Sequence, residues 1–148
     1  MESYNELELY RQIVEQAPDG VIVASVDGKI LLWNDRAHAI FGYSRQEVLG
    51  QSLDVIIPNE LRDAHWKGFN RAMSDGRPRS FGQAMITKSV HKTGRKIYVD
   101  LSFGVLKNST GQVSGALAMV RDSTERYTAE KSLRAELNKL RKALPAEN

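Results

Sequence analysis

Lys96-Ile97-Tyr98-Val99-Asp100-Leu101-Ser102-Phe103-Gly104-Val105-Leu106 sets Ile97, Val99, Leu101, Phe103 and Val105 at every second position. A period of two is the signature of a strand with one face against a core. On its N-terminal side the turn Lys92-Thr93-Gly94-Arg95 joins it to a second strand candidate, residues 81–90, whose alternation is imperfect. On its C-terminal side the polar turn Asn108-Ser109-Thr110-Gly111 leads to a third, residues 112–121. Short turns between strands predict antiparallel neighbours.

Upstream lies another hairpin. Val21-Ile22-Val23-Ala24 and Lys29-Ile30-Leu31-Leu32-Trp33 flank Asp27-Gly28, a strong turn signal. Between the two strand groups the punctuation is helical. Asn34-Asp35 can cap a short helix holding Ala37, Ile40 and Phe41, which Gly42 ends. Ser44-Arg45-Gln46-Glu47 reads as a capping box for one more turn, ended by Gly50. After residues 53–57, Pro58-Asn59 opens a longer helix with Leu61, Ala64, His65, Gly68, Phe69, Ala72 and Met73 in a stripe, up to Asp75-Gly76. Two strands, several helices and three strands predict an α+β fold: a five-stranded antiparallel sheet with helices on one face.

Both ends carry helical extensions. In residues 5–16, Leu7, Tyr10 and Val14, with Ile13 beside them, have amphipathic spacing, and Ala17-Pro18-Asp19-Gly20 breaks the pattern. Residues 129–144 contain no Gly or Pro. Leu133, Leu137, Leu140 and Leu144 step by four, three and four, the a/d seam of a coiled coil, and Pro145 stops it. The expected division is a helical cap over 1–17, one domain over 18–122 and a linker helix over 123–148. The two end helices are the candidate homodimer surface.

A chain of 148 residues suits one such domain plus its extensions. It contains no cysteine, which excludes disulfides and thiolate metal sites. No apolar run approaches the roughly 20 residues of a membrane helix. The start lacks the charged and apolar regions of a signal peptide. A cytoplasmic location without membrane contact is expected. The net charge of +3 is small and mixed with acidic residues, so no nucleic-acid partner is predicted. Phosphate loops and Ser-His-Asp arrangements are missing, and His38, His65 and His91 are far apart, so no enzymatic activity is expected.

Several motifs resemble the PAS superfamily. They are Ala17-Pro18-Asp19-Gly20-Val21-Ile22, Asp27-Gly28-Lys29-Ile30, Trp33-Asn34-Asp35-Arg36-Ala37, the segment from Phe41-Gly42-Tyr43-Ser44 to Gly50-Gln51, Lys92-Thr93-Gly94-Arg95, and Val120-Arg121-Asp122-Ser123-Thr124-Glu125-Arg126. They occur in the family's order over about residues 8–126. The resemblance implies a sensory module, and fold more than activity.

Within that superfamily, Arg62, His65 and Phe69 resemble the motif of haem-binding PAS domains in rhizobial oxygen-sensor kinases and oxygen-sensing phosphodiesterases. The resemblance makes His65 the proximal ligand of a haem b iron, since a neutral imidazole on a rigid helix is a good axial ligand. On the distal side the kinases' arginine corresponds to Met85, and the phosphodiesterases' methionine to Gln83, so the chain departs from both. Met85 could ligate iron, suited to redox, CO or NO sensing, or fill the core. Gln83 could donate a hydrogen bond to a bound diatomic gas. Leu101 and Phe103 match apolar distal residues and equally suit a core strand. The light-sensing LOV subclass needs a cysteine that this chain lacks. FAD bound non-covalently near Trp33 and Asn34, or no cofactor at all in a dimerisation module, are the alternatives. The resemblance further makes Asp122 and Thr124 the link to the last helix, with Thr124 as its N-cap and the Asp122 side chain binding the strand end. Output then requires rearrangement within the dimer or a separate effector protein.

Overall fold

The computed structural model describes residues 5–79 and 85–145. Helix α1 (Glu6–Gln16) comes first, with the Asn5 side chain accepting from the Leu7 N–H as its cap. Strands β1 (Gly20–Ser25) and β2 (Ile30–Trp33) form the first hairpin. Helices α2 (Asp35–Phe41) and α3 (Arg45–Val48) follow, then two 3₁₀ turns (Leu53–Ile56 and Asn59–Leu61) and helix α4 (Arg62–Asp75). Strands β3 (Met85–Val90), β4 (Lys96–Lys107) and β5 (Val113–Asp122) form the second group, and α5 (Thr124–Ala143) closes the chain. The sheet order is β2-β1-β5-β4-β3, antiparallel throughout. The α+β expectation holds. Part of the strand expected over residues 81–90 lies outside the described residues.

The capping residues act as their chemistry dictates. Asn34 caps α2 by accepting from the Ala37 N–H, and Gly42 ends it at φ 82°, a conformation that favours glycine. Ser44 and Glu47 form the reciprocal capping box at α3.

Cross-strand partners share a face, so the pairing shows which side of the sheet is inward. Ile97 and Val99 on β4 are buried. Ser89 pairs with Ile97 and donates its hydroxyl to the Ile56 carbonyl, which places that face against the helical side. Ile22, Trp33 and Val120 lie in the same core with Ala37, Ile40 and Phe41 from α2. Trp33 packs tilted on Phe41 at 5.4 Å, and its indole donates to the Tyr43 carbonyl.

Three sequence expectations are corrected here. First, Pro58-Asn59 opens a 3₁₀ turn, and the α-helix starts only at Arg62. Second, Ala64 and Gly68 are exposed, and the partly buried positions of α4 are Arg62, His65, Trp66, Phe69, Ala72 and Met73. The stripe is rotated because Trp66 anchors the helix. Third, the linker helix begins at Thr124, with Ser123 as its cap position. Asp122 and Thr124 exchange the roles expected of them. The Asp122 carboxylate accepts from the Thr124 N–H at 3.0 Å, while the Thr124 hydroxyl oxygen accepts from the Tyr98 N–H on β4, also at 3.0 Å. His91 is half-buried beside the β3–β4 turn, where a methyl group on Gly42 would overlap its ring. No helix among the described residues is long and apolar enough to cross a membrane.

Candidate functional site

The site is built from the start of α4. The Arg62 guanidinium donates to the carbonyls of Ile57 (3.2 Å) and Asp54 (3.1 Å). The Trp66 indole donates to the Asp54 carboxylate at 2.8 Å. Its far edge covers Gly28 in the β1–β2 turn, where φ is +81° and any side chain would collide with it. Two turns of α4 are thereby fastened to the 3₁₀ segment and the first hairpin.

His65 sits between these anchors. Its ring meets Trp66 edge-on at 4.7 Å and Phe69 at 5.9 Å. The Nδ1 atom is buried and has no hydrogen-bond partner among the described residues. Burial pushes the imidazole below its ordinary pKa of 6.5, and the nearby Asp54 carboxylate only partly opposes this. His65 is therefore neutral near pH 7, the form that can donate a lone pair.

A titration follows from this. In ¹H–¹³C spectra the His65 Cε1–H signal is expected to titrate below 6.5. The unfolded chain then takes up this proton before the folded one, so stability falls as pH drops below about 6.5 and levels off beneath the folded value. A midpoint at or above 6.5 contradicts the desolvated ring.

Across from the helical layer, the inward face of β4 is sealed at one end and open at the other. Ile97 and Val99 are each 1% exposed. Leu101 and Phe103, further along the same face, are only half-buried, and Met85, the cross-strand partner of Leu101, is 47% exposed. Met85 is thus not the sealed core filler of one sequence reading. Gln83 lies outside the described residues. Arg62 serves the helix anchor, with its donors on backbone carbonyls. Trp33 and Asn34, the flavin-side candidates, are each 1% exposed and occupied by internal hydrogen bonds.

Trp66 and Asp54 were not singled out by the sequence reading. The spacing 62, 65/66, 69 is an i, i+3, i+4, i+7 stripe, and taking it in place of the one through Ala64 and Gly68 would have found Trp66.

His65 stands alone as a candidate metal donor on α4. Among the described residues no three His, Asp or Glu side chains gather as a metal cluster. A lone neutral imidazole suits an iron whose equatorial ligands come from a porphyrin. Phe69 sets an apolar ring against His65, and Leu101 and Phe103 are half-buried apolar residues on the inward face of β4. Two open depressions, of about 440 Å³ along Arg121–Ala129 and about 340 Å³ between Asp54–Arg62 and the β3–β4 turn, do not include His65.

The outward face of β4 meets the output helix. Tyr98 stacks on Tyr127 of α5 at 3.9 Å. The Asp100 carboxylate accepts from the Ser123 hydroxyl (2.7 Å) and from Arg126 (3.0 Å). One strand therefore carries Leu101 and Phe103 inward and Tyr98 and Asp100 outward, onto the root of α5.

The family model for the PAS fold matches residues 8–123, and the chain belongs to the PAS family. Oxygen sensor protein DosP of Escherichia coli K12 is 30% identical over 111 residues, covering 75% of this chain and 14% of DosP. Sensor protein FixL of Bradyrhizobium diazoefficiens is 28% identical over 123 residues, covering 83% of this chain and 24% of FixL. The chain thus spans less than a quarter of the length of either relative. A PAS domain from Colwellia psychrerythraea superposes with a TM-score of 0.71 at 20% identity, covering 80% of this chain and 98% of that one. An RNA-binding light-oxygen-voltage receptor gives 0.70 at 18%, covering 90% and 37%. These two likenesses concern the fold alone.

Proposed function

We propose that this PAS sensory module binds haem b through His65, senses a diatomic gas or redox state, and signals through its terminal helices as a cytoplasmic homodimer acting on an effector protein. Its role is binding and signalling rather than catalysis. The observation that carries the haem reading is the His65 ring: neutral, packed against Trp66 and Phe69, with a buried nitrogen that has no partner among the described residues. A buried polar atom with no hydrogen bond is costly, and such sites call for an explanation. A relative named as an oxygen sensor supports a sensory role in the gas or redox class.

The chain's residues divide the work. Asp54 and Trp66 orient the helix that presents the imidazole. Phe69, Leu101 and Phe103 would exclude water from the bound macrocycle. The Met85 thioether, on the open stretch of the inward face, would be the candidate second donor to the iron, which would favour redox, CO or NO sensing over stable oxygen binding. When bound, the haem would supply an iron that exchanges one electron or a gas ligand. Movement of Leu101 or Phe103 on β4 reaches Tyr98 and Asp100 within the same strand, and from them α5.

An absorption spectrum before and after adding haemin tests the reading. One equivalent is expected to be taken up with a Soret band distinct from that of free haemin. A purified protein carrying flavin absorption instead, or one that leaves the haemin spectrum unchanged, overturns it in favour of a flavin receptor or a cofactor-free dimerisation module.

A further inference from the structure

Helix α5 leaves the domain almost at once. Its root is held by the Tyr98–Tyr127 stack and by Arg126 on Asp100. Beyond Tyr127 every described residue is exposed. The leucines at 133, 137, 140 and 144 are 68, 47, 61 and 70% exposed, so this helix is not folded back on its own domain. An isolated helix of this length is marginal in water, and a regular leucine seam is the surface that a like seam covers.

Charge at the flanks says what covers it and in which direction. The steps of four, three and four make Leu133 and Leu140 d positions and Leu137 and Leu144 a positions. Glu136 is then g, and Arg134 and Arg141 are e. In a parallel, in-register pair, g of one helix faces e of the next heptad on the other, which sets Glu136 against Arg141 twice by symmetry. An antiparallel pair keeps the leucine layers, with Leu133 on Leu144 and Leu137 on Leu140. It sets Arg134 against Arg141 twice, and Glu136 against Ala143. The same leucines thus give two ion pairs in one direction and two repulsive contacts in the other. Before Leu133 the seam positions are Arg126 and Glu130, which face each other at 3.9 Å, while Arg126 binds Asp100, so the intermolecular seam starts at Leu133.

We propose that α5 pairs with α5 of a second copy as a parallel, in-register coiled coil whose direction is set by Glu136 of each copy against Arg141 of the other. This rests on the homodimer reading above and goes beyond it by assigning register, direction and the residues that choose them. Both domains of the pair then lie at the same end of the coil, so a shift at either Asp100–Arg126 root acts on one shared seam.

Because the chain has no cysteine, Leu133→Cys introduces a unique thiol. In the parallel pair the two residues 133 face each other within disulfide reach, and mild oxidation is expected to give a covalent dimer. In the antiparallel pair they are about 16 Å apart along the axis and do not cross-link. Sedimentation equilibrium of the full chain measures association separately. Glu136→Arg and Arg141→Glu are each expected to raise the dimer Kd about tenfold at low salt, and the double variant to restore it. A monomer at all concentrations overturns the pairing, whereas a dimer without the cross-link, or a double variant no tighter than the singles, overturns the parallel register. The haemin spectrum is independent of either outcome, so loss of the haem reading and loss of this one are told apart.

Discussion

Asn34→Ala is expected to lower the unfolding free energy by about 4 kcal/mol, a large share of the roughly 5–15 kcal/mol typical of a domain. The side chain is 1% exposed and makes four hydrogen bonds. Its oxygen accepts from the Val21 N–H (2.8 Å) and the Ala37 N–H (3.0 Å), and its nitrogen donates to the carbonyls of Val14 (2.8 Å) and Asp19 (3.1 Å). One amide thus ties β1, α2 and the end of α1 together. Truncation leaves two fully buried N–H groups, each costing about 1–3 kcal/mol, and two half-buried carbonyls that water can partly serve. Asn34→Asp separates the two sides. It keeps both acceptors but turns a carboxylate toward the Val14 and Asp19 carbonyls, so α1 should loosen while α2 stays capped. Urea unfolding measures the first effect, and amide exchange along α1 the second. A loss under about 1 kcal/mol in the alanine variant sinks the idea that this amide joins the N-terminal helix to the core.

The sheet was legible because its signals are local. Period-two alternation on β4 and turn chemistry at Asp27-Gly28 and Lys92-Thr93-Gly94-Arg95 need no tertiary information. The caps at Asn34 and Ser44 are legible for the same reason. The rotation of α4 was not, because it is set by the Trp66–Asp54 hydrogen bond and by the space that Gly28 leaves, contacts made far apart in sequence. Small residues such as Ala64 and Gly68 satisfy an apolar stripe without being buried. The exchanged roles of Asp122 and Thr124 have a similar origin. Either residue type can cap a helix, and the register of β5 on β4, which sets Val99 opposite Asp122, brings the Thr124 hydroxyl to the Tyr98 N–H. At the candidate site the sequence pointed to His65 but could not tell a hydrogen-bonded histidine from one with a bare nitrogen. That difference lies in what surrounds the ring, and it carries the haem reading.

His65→Gly is the variant on which that reading turns. If the imidazole is the axial ligand, its removal should weaken haemin binding on the order of 100-fold, roughly 2.7 kcal/mol, and shift the Soret band. The excised ring leaves a ligand-sized gap against Trp66 and Phe69, so added imidazole should enter it and restore the original spectrum. Loss of structure alone does not predict such rescue. Glycine inside α4 costs about 1 kcal/mol in helix propensity, and the lost ring contacts add to that. Removing a buried nitrogen without a partner works in the opposite direction. The variant should therefore remain folded, with circular dichroism unchanged and a modestly lower Tm. Phe69→Leu provides the contrast: it removes the neighbouring ring, leaves the donor in place, and should keep the ligand spectrum at reduced haemin affinity. A His65→Gly protein that binds haemin with the wild-type spectrum and affinity removes His65 from the site, and the unsatisfied nitrogen would then be only a local cost of packing α4 around Trp66.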